Sequence, residues 1–306
     1  MVVGLALLTG KGAWAQYDPS FSHYWAMETS FNPAAAGKET KMNVTGAYNM
    51  TLSGFENNPK TMYLSADLPM ALLGGYHGVG LQVLNDAIGL FSHKTLAVQY
   101  ANKQRLLGGT LSVGIQGSML SESFDGSKVD VEDTSDPAFA KSQVNGTGFD
   151  LGAGLYYQHR DWYVGVSALH VLAPTIELGE TNELEVSRSY YFTGGYNIRL
   201  RNPFYTIQTS VLGRSDGAAY RGDVTARLKY THENRVMYAG LSYSPTNSVT
   251  ALIGGYFHGV MVGYSYEAYT GGISLGNGSH ELFVGYQTDI NLGKKGRNRH
   301  QSVRIL

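Results

Sequence analysis

Near the end of the chain, Leu282, Val284 and Tyr286 alternate with Glu281, Phe283, Gly285 and Gln287. A period of two places these sets on opposite faces of a β-strand. The stretch from Gly278 to Leu292 is long enough for a tilted strand to cross a bilayer. The pattern recurs. Fourteen stretches read as strands, at roughly 40–53, 59–69, 76–85, 90–103, 107–120, 145–159, 161–169, 188–201, 203–212, 220–231, 235–243, 247–257, 259–268 and 280–292. In the sixth, Phe149, Leu151, Ala153, Leu155 and Tyr157 oppose Asp150, Gly152, Gly154 and Gln158. One face is apolar and the other small or polar, as in a transmembrane β-barrel. The linkers sort in the same sense. Those after even-numbered strands are short, such as Gly108, His159-Arg160-Asp161 and Arg201-Asn202-Pro203, whereas Leu120 to Asn145 and His170 to Arg188 are long. The expected fold is therefore all-β: a transmembrane antiparallel β-barrel of about 14 strands, with short periplasmic turns, long extracellular loops and both termini periplasmic.

Composition agrees. Of 306 residues only 15% are charged, against roughly 25% in ordinary soluble proteins. Gly (39) and Tyr (22) are heavily used, as close-packed strands and interfacial aromatics require. Tyr156, Tyr157, Trp162, Tyr230, Tyr238, Tyr256 and Phe257 are expected to form interfacial girdles. A net charge of −1 gives no sign of a nucleic-acid partner. Cysteine is absent, which excludes disulfides and thiol chemistry. The start, MVVGLALLTGKGAWAQ, reads as the later part of a secretory signal peptide ending at Ala13-Trp14-Ala15, without a basic n-region. The expected organisation is a signal peptide (1–15), an irregular periplasmic segment outside the barrel (16–39), the barrel (40–292) and a basic periplasmic tail (293–306).

Catalytic signals are weak. Ser22-His23, Ser92-His93 and Ser279-His280 are neighbours in sequence, but adjacent strand residues face opposite sides and form no nucleophile–base contact. Asp125, Asp130, Glu132, Asp133 and Asp136 share one long loop without calcium-loop spacing. The nine histidines show no metal-ligand spacing. No catalytic residue, cofactor or metal is expected. The lumen face carries small and polar residues with Asp67, Asp150 and Asp223, and no ladder of Arg or Lys. Composition alone leaves a binding barrel and a passive pore level.

Two N-terminal motifs shift that balance. Tyr17-Asp18-Pro19-Ser20-Phe21-Ser22-His23-Tyr24, followed by Asn32-Pro33-Ala34-Ala35-Ala36-Gly37, resembles the opening of the PorP/SprF family. Trp162-Tyr163-Val164-Gly165-Val166-Ser167 with His170-Val171-Leu172-Ala173-Pro174, and Gly278-Ser279-His280-Glu281-Leu282 with Gly285-Tyr286, resemble its middle and closing strands. His23 stands where that family more often has Gln. The resemblance implies a non-enzymatic outer-membrane barrel of the type IX secretion system of Bacteroidota. Such a barrel helps secrete and anchor a surface protein, such as a gliding adhesin, through its C-terminal domain. The implied partners are outer-membrane lipid, that cargo domain and other type IX components. On this reading the loops 120–145, 170–188 and 269–279 meet cargo. Tyr17, Asp18, Pro19, Phe21, Tyr24, Asn32 and Pro33 meet periplasmic partners. The alternative is an outer-membrane channel or hydrophobic-solute transporter.

Overall fold

The computed structural model describes residues 18–55, 57–72, 74–126, 143–179, 182–233, 235–271 and 278–289. The signal segment, the basic tail, Tyr17 and four of the loop acids (Asp130, Glu132, Asp133 and Asp136) lie outside these residues.

Fourteen strands close into an antiparallel barrel. They are β1 (Met42–Met50), β2 (Lys60–Leu72), β3 (Gly75–Ile88), β4 (Phe91–Leu106), β5 (Gly109–Asp125), β6 (Gln143–Gln158) and β7 (Trp162–Leu169). A hairpin of β8 (Thr175–Leu178) and β9 (Asn182–Glu185) interrupts the series. The barrel resumes with β10 (Ser189–Arg199), β11 (Tyr205–Ser215), β12 (Tyr220–His232), β13 (Arg235–Ser244), β14 (Ser248–Phe257), β15 (Val260–Tyr269) and β16 (Ser279–Thr288). Each barrel strand pairs with its neighbours in sequence, and β1 pairs with β16, from Met42 opposite Thr288 to Met50 opposite His280. Closure leaves no sheet edge along the ring, the condition for strands to stand in lipid.

The alternation read from the sequence sets the two faces. On β16, Leu282 is 50% exposed and the adjacent Phe283 only 2%. Outward positions such as Leu81, Val98, Ile115, Leu241 and Ile253 are exposed and apolar, while Gln82, Gln99, Gln116, Ser242 and Thr250 are buried and polar. The apolar residues therefore lie on the lipid side and the polar residues inside. The turn rim carries two-residue links. Leu107 and Gly108 (φ 48° and 79°) and His258 and Gly259 (φ 51° and 85°) both have two positive φ values, the turn whose twist matches the flanking strands. At the opposite loop rim, β4 to β6 run 16, 17 and 16 residues, whereas β13 to β16 have 10 each. One wall of the barrel is therefore taller than the other.

Two expectations need correction here. Tyr157, Trp162, Tyr230 and Phe257 do point outward near the turn rim, but Tyr156 and Tyr238 are buried in the lumen and Tyr256 packs against its core. Parity decides this, because Tyr156 shares its face with Asp150 and Gly154. Nor is 170–188 a plain loop, since it contains the β8–β9 hairpin.

Ile253 sits mid-strand on the lipid face, opposite Ala239 and Tyr264. Ile253→Lys is expected to destabilise the inserted barrel by roughly 2–4 kcal/mol, the cost of a cation near the bilayer midplane. Denaturant unfolding from lipid vesicles measures it.

Candidate functional site: the filled lumen

The segment from Asp18 to Gly37 runs through the lumen in three short 3-10 turns, Tyr24–Ala26, Glu28–Ser30 and Pro33–Ala35. The segment was expected outside the barrel; instead His23, Tyr24, Met27, Glu28, Asn32, Ala34, Ala35 and Ala36 are at most 2% exposed. The sequence permits this because the segment offers many short polar groups and small residues to a polar wall.

Its anchors descend the lumen in chain order. Near the loop rim Asn49 Nδ2 donates to Ser20 O (3.0 Å). Glu281 of β16 accepts from the Ser22 N–H (2.6 Å) and the His23 N–H (3.0 Å), and its Oε1 lies 2.6 Å from His23 Nδ1. The His23 ring stacks on Phe283 at 5.2 Å. Tyr24 Oη donates to Thr225 Oγ1 at 3.0 Å and lies 3.1 Å from Ser210 Oγ. Arg227 lies 3.4 Å over the Trp25 ring, a cation–π contact of the kind strengthened by desolvation. Lower down, Gln99 Nε2 donates to Thr29 O (2.7 Å) and Ser167 Oγ to Phe31 O (2.6 Å). Asn32 caps the third turn, its Oδ1 accepting from the Ala34 N–H (2.9 Å), while its Nδ2 donates to Leu155 O (3.1 Å). Toward the turn rim the Gly37 N–H donates to Asp67 (2.8 Å).

Glycines on the wall provide the space. An added methyl at Gly78, Gly114 or Gly154 would collide with Ala36 O, the Ala34 backbone and Asn32 Oδ1 respectively. The Asn-Pro-Ala-Ala-Ala-Gly run is thus small because its backbone lies against three glycine-bearing strands. Gly37 itself has φ 62°, where a side chain is strained, and a Cβ there would also meet Leu68 O at 2.6 Å.

Two charged clusters fix the ends. At the loop rim His170 lies between two carboxylates, Nε2 2.9 Å from Asp18 Oδ1 and Nδ1 2.7 Å from Asp150 Oδ2. Tyr191 Oη donates to Asp18 Oδ2 (2.5 Å), and the Leu172 N–H donates to Asp150 Oδ1 (3.1 Å). Both ring nitrogens donate only when the imidazole is charged. Burial opposes that charge, but Asp18 and Asp150 outweigh it and raise His170 to about 10. Burial also opposes the Asp18 carboxylate, and His170 with Tyr191 overcomes this and holds it below the usual carboxylate range. Toward the turn rim Lys38 Nζ lies 2.5 Å from Glu28 Oε2, which also accepts from Tyr156 Oη (2.8 Å). Burial lowers the Lys38 pKa, and Glu28 more than restores it.

Phe21, Tyr24, Asn32 and Pro33 thus contact this chain's own wall and are buried. Asp18, the first described residue, lies by the loop rim. Asp289, the last, pairs with Lys41 (3.3 Å) at the turn rim. Of the described residues, Asp18 therefore lies toward the loop rim and Asp289 toward the turn rim. Glu122 of β5 pairs with His93 of β4, and Asp125, read from sequence as a loop acid, is the last residue of β5. The residues not picked out from sequence as anchors are Glu281, Asp67, Asp150, His170 and the wall glycines. For Glu281, Asp67, Asp150 and the glycines the signal was inward parity facing a segment of complementary size and charge, whereas His170 lies just past the end of β7.

His170→Gln is expected to weaken the folded barrel by roughly 1–3 kcal/mol at neutral pH, the cost of leaving charged partners unsatisfied. The His170 pKa is raised on folding, so its stabilisation is complete below about pH 6.5 and is lost as pH rises through about 10. Asp18 is depressed, so its share is lost only as pH falls below the carboxylate range. Unfolding measured from pH 2 to 11 checks both signs, and the drop near pH 10 is expected to be smaller in His170→Gln.

No curated protein sequence matches the chain. Among solved structures, the CymD monoaromatic hydrocarbon channel superposes with a TM-score of 0.52 at 11% identity, over 87% of this chain and 93% of that one. A Pseudomonas aeruginosa FadL homologue gives 0.48 at 10% identity, over 83% and 91%. The first of these likenesses shows the barrel fold and nothing of its cargo. The family model described as "Type IX secretion system membrane protein PorP/SprF" matches residues 13–286, from before the plug into the closing strand. By that match, and with the motifs of plug and closing strand meeting at Glu281, the chain belongs to the PorP/SprF family of type IX secretion outer-membrane proteins.

Proposed function

We propose that this barrel is a non-enzymatic platform that helps secrete and anchor a surface protein, such as a gliding adhesin, by binding its C-terminal domain at the loop rim. One observation carries the reading: the lumen is filled by the chain's own segment, anchored to strands around the ring. A barrel closed in this way works through its rims. The loop rim supplies the surface, with the tall β4–β6 wall and the β8–β9 hairpin. Long loops face outward and short turns face the periplasm in such barrels. On that orientation Lys41 and Asp289 lie on the side of the periplasmic secretion components. The partner contacts expected of Asp18 to Pro33 pass to the rims, because those residues are engaged inside.

The channel reading fares less well on size. Among the described residues, one cavity between plug and wall, lined by Phe21, Phe31, Tyr63, Gln116, Leu169 and Arg214, holds about 50 Å³. An apolar cavity admits benzene at about 150 Å³.

Two measurements test the proposal. In planar bilayers the full-length barrel is expected to show no steady open pore, whereas Gly114→Val, which collides with Ala34, is expected to conduct. Vesicles carrying the barrel are expected to retain the purified C-terminal domain of a surface protein secreted by the same system. Steady conductance of the unaltered barrel, or failure to retain that domain, would contradict the reading.

A further inference from the structure

At the loop rim β6 is paired on one side only. Its ladder with β5 runs its whole length, from Gln158 to Gln143, but its ladder with β7 ends at Ala153 opposite Ala168. Beyond Leu169 the chain leaves the ring to form the β8–β9 hairpin. The Val171 N–H still donates to Leu151 O (3.0 Å), and above that no backbone group among the described residues bonds the open side. Alternate residues of a strand present their N–H and C=O groups to opposite neighbours. Leu151 presents its groups to the open side, so Phe149, Thr147, Asn145 and Gln143 do as well.

The surroundings keep this edge extended. Inside, Ile176 of the hairpin lies against Gly146 and Gly148 and is fully buried, in a cluster with Leu120 and Val186. Outside, Gln143, Asn145 and Thr147 are exposed and polar, above the apolar band marked by Phe149 and Met119. The edge from Gln143 to Thr147 therefore stands in the aqueous layer, with Phe149 at the boundary of the apolar band. Beside its foot Val171 and Leu172 are 40% and 49% exposed.

We propose that the β6 edge from Gln143 to Phe149 docks an extended strand of the surface protein's C-terminal domain. This rests on the platform reading above. A row of unpaired N–H and C=O groups is matched by another extended backbone, which adds to the sheet as one more strand. Such a strand would occupy the ring position that β7 vacates. Its side chains nearest Val171 and Leu172 must be apolar, and those beside Asn145 and Thr147 polar. The recognised chemistry is an alternating β-segment, with main-chain bonds giving affinity and the apolar foot giving register.

Hydrogen exchange of the full-length barrel in lipid nanodiscs, with and without the purified C-terminal domain, tests this. The Asn145, Thr147 and Phe149 amides are expected to slow at least about tenfold on binding, with Gly146 and Gly148, already paired to β5, unchanged. The double variant Asn145→Pro, Thr147→Pro removes two donors on the open side only, where a strand edge tolerates proline. It is expected to insert normally and to bind the domain at least about tenfold more weakly, as the loss of two backbone hydrogen bonds requires. Binding with no protection at this edge overturns the inference and leaves the platform reading standing. Protection that rises with barrel concentration alone assigns the edge to a second copy and also overturns it. Absence of binding overturns both.

Discussion

A ring of fourteen strands encloses more space than its own side chains can fill. Eight strands make an interior that side chains can close, and sixteen to eighteen leave an aqueous channel. Here the wall residues are short and polar, such as Ser65, Ser112, Thr193, Ser210, Thr225 and Ser265. The segment from Asp18 to Gly37 occupies the remaining space, and much of the inner wall is explained by it. Glycines sit where its backbone passes, and hydroxyls, amides and carboxylates sit where its polar groups arrive. In such an interior the cost of an unmet polar group exceeds the net gain from a met one. The pairings therefore specify one seating of the segment more than they add stability.

This ties together parts of the chain that are far apart. Glu281 and His23 are 258 positions apart, yet their side chains meet while the Ser22 and His23 amides bond the same carboxylate. The N-terminal and closing-strand motifs form one structural unit: the seat of the plug on the strand that closes the ring. His23 sets a polar ring against Glu281 and adds a stacked contact with Phe283. His170 does the equivalent work at the loop rim, joining Asp18 of the segment to Asp150 of the wall. With the interior occupied by the segment, the loop rim above it is asymmetric. The wall is tall where β4 to β6 stand and drops where β7 ends, leaving the edge of β6 beside an apolar foot.

The barrel was legible in the sequence because its cause is local. Period-two alternation in β5, β6 and β16 follows directly from one lipid face and one polar face. Turn chemistry at Leu107-Gly108 and His258-Gly259 separates the strands. The plug was not legible, because nothing local distinguishes a segment that fills a lumen from one that hangs outside it. Asn32-Pro33 reads as a chain break in either place. Its meaning depends on Gly114 and Gly154, whose role appears only once the ring closes. Tyr156 and Tyr238 were misplaced for a related reason: an aromatic near a strand end suits a girdle, and only parity shows that it points inward. The β8–β9 hairpin is too short to carry a periodic signal, and it exists because Ile176 has the glycines of β6 to pack against.

Everything above depends on the Asp18–Gly37 segment being folded inside the barrel. Site-resolved hydrogen exchange of that segment, in the full-length protein in lipid, tests it most directly. The account predicts that the Ser22, His23, Ala34 and Gly37 amides, bonded to Glu281, Asn32 and Asp67, exchange as slowly as those of the barrel strands. Exchange at the rate of a free peptide would place the segment outside the lumen and contradict it.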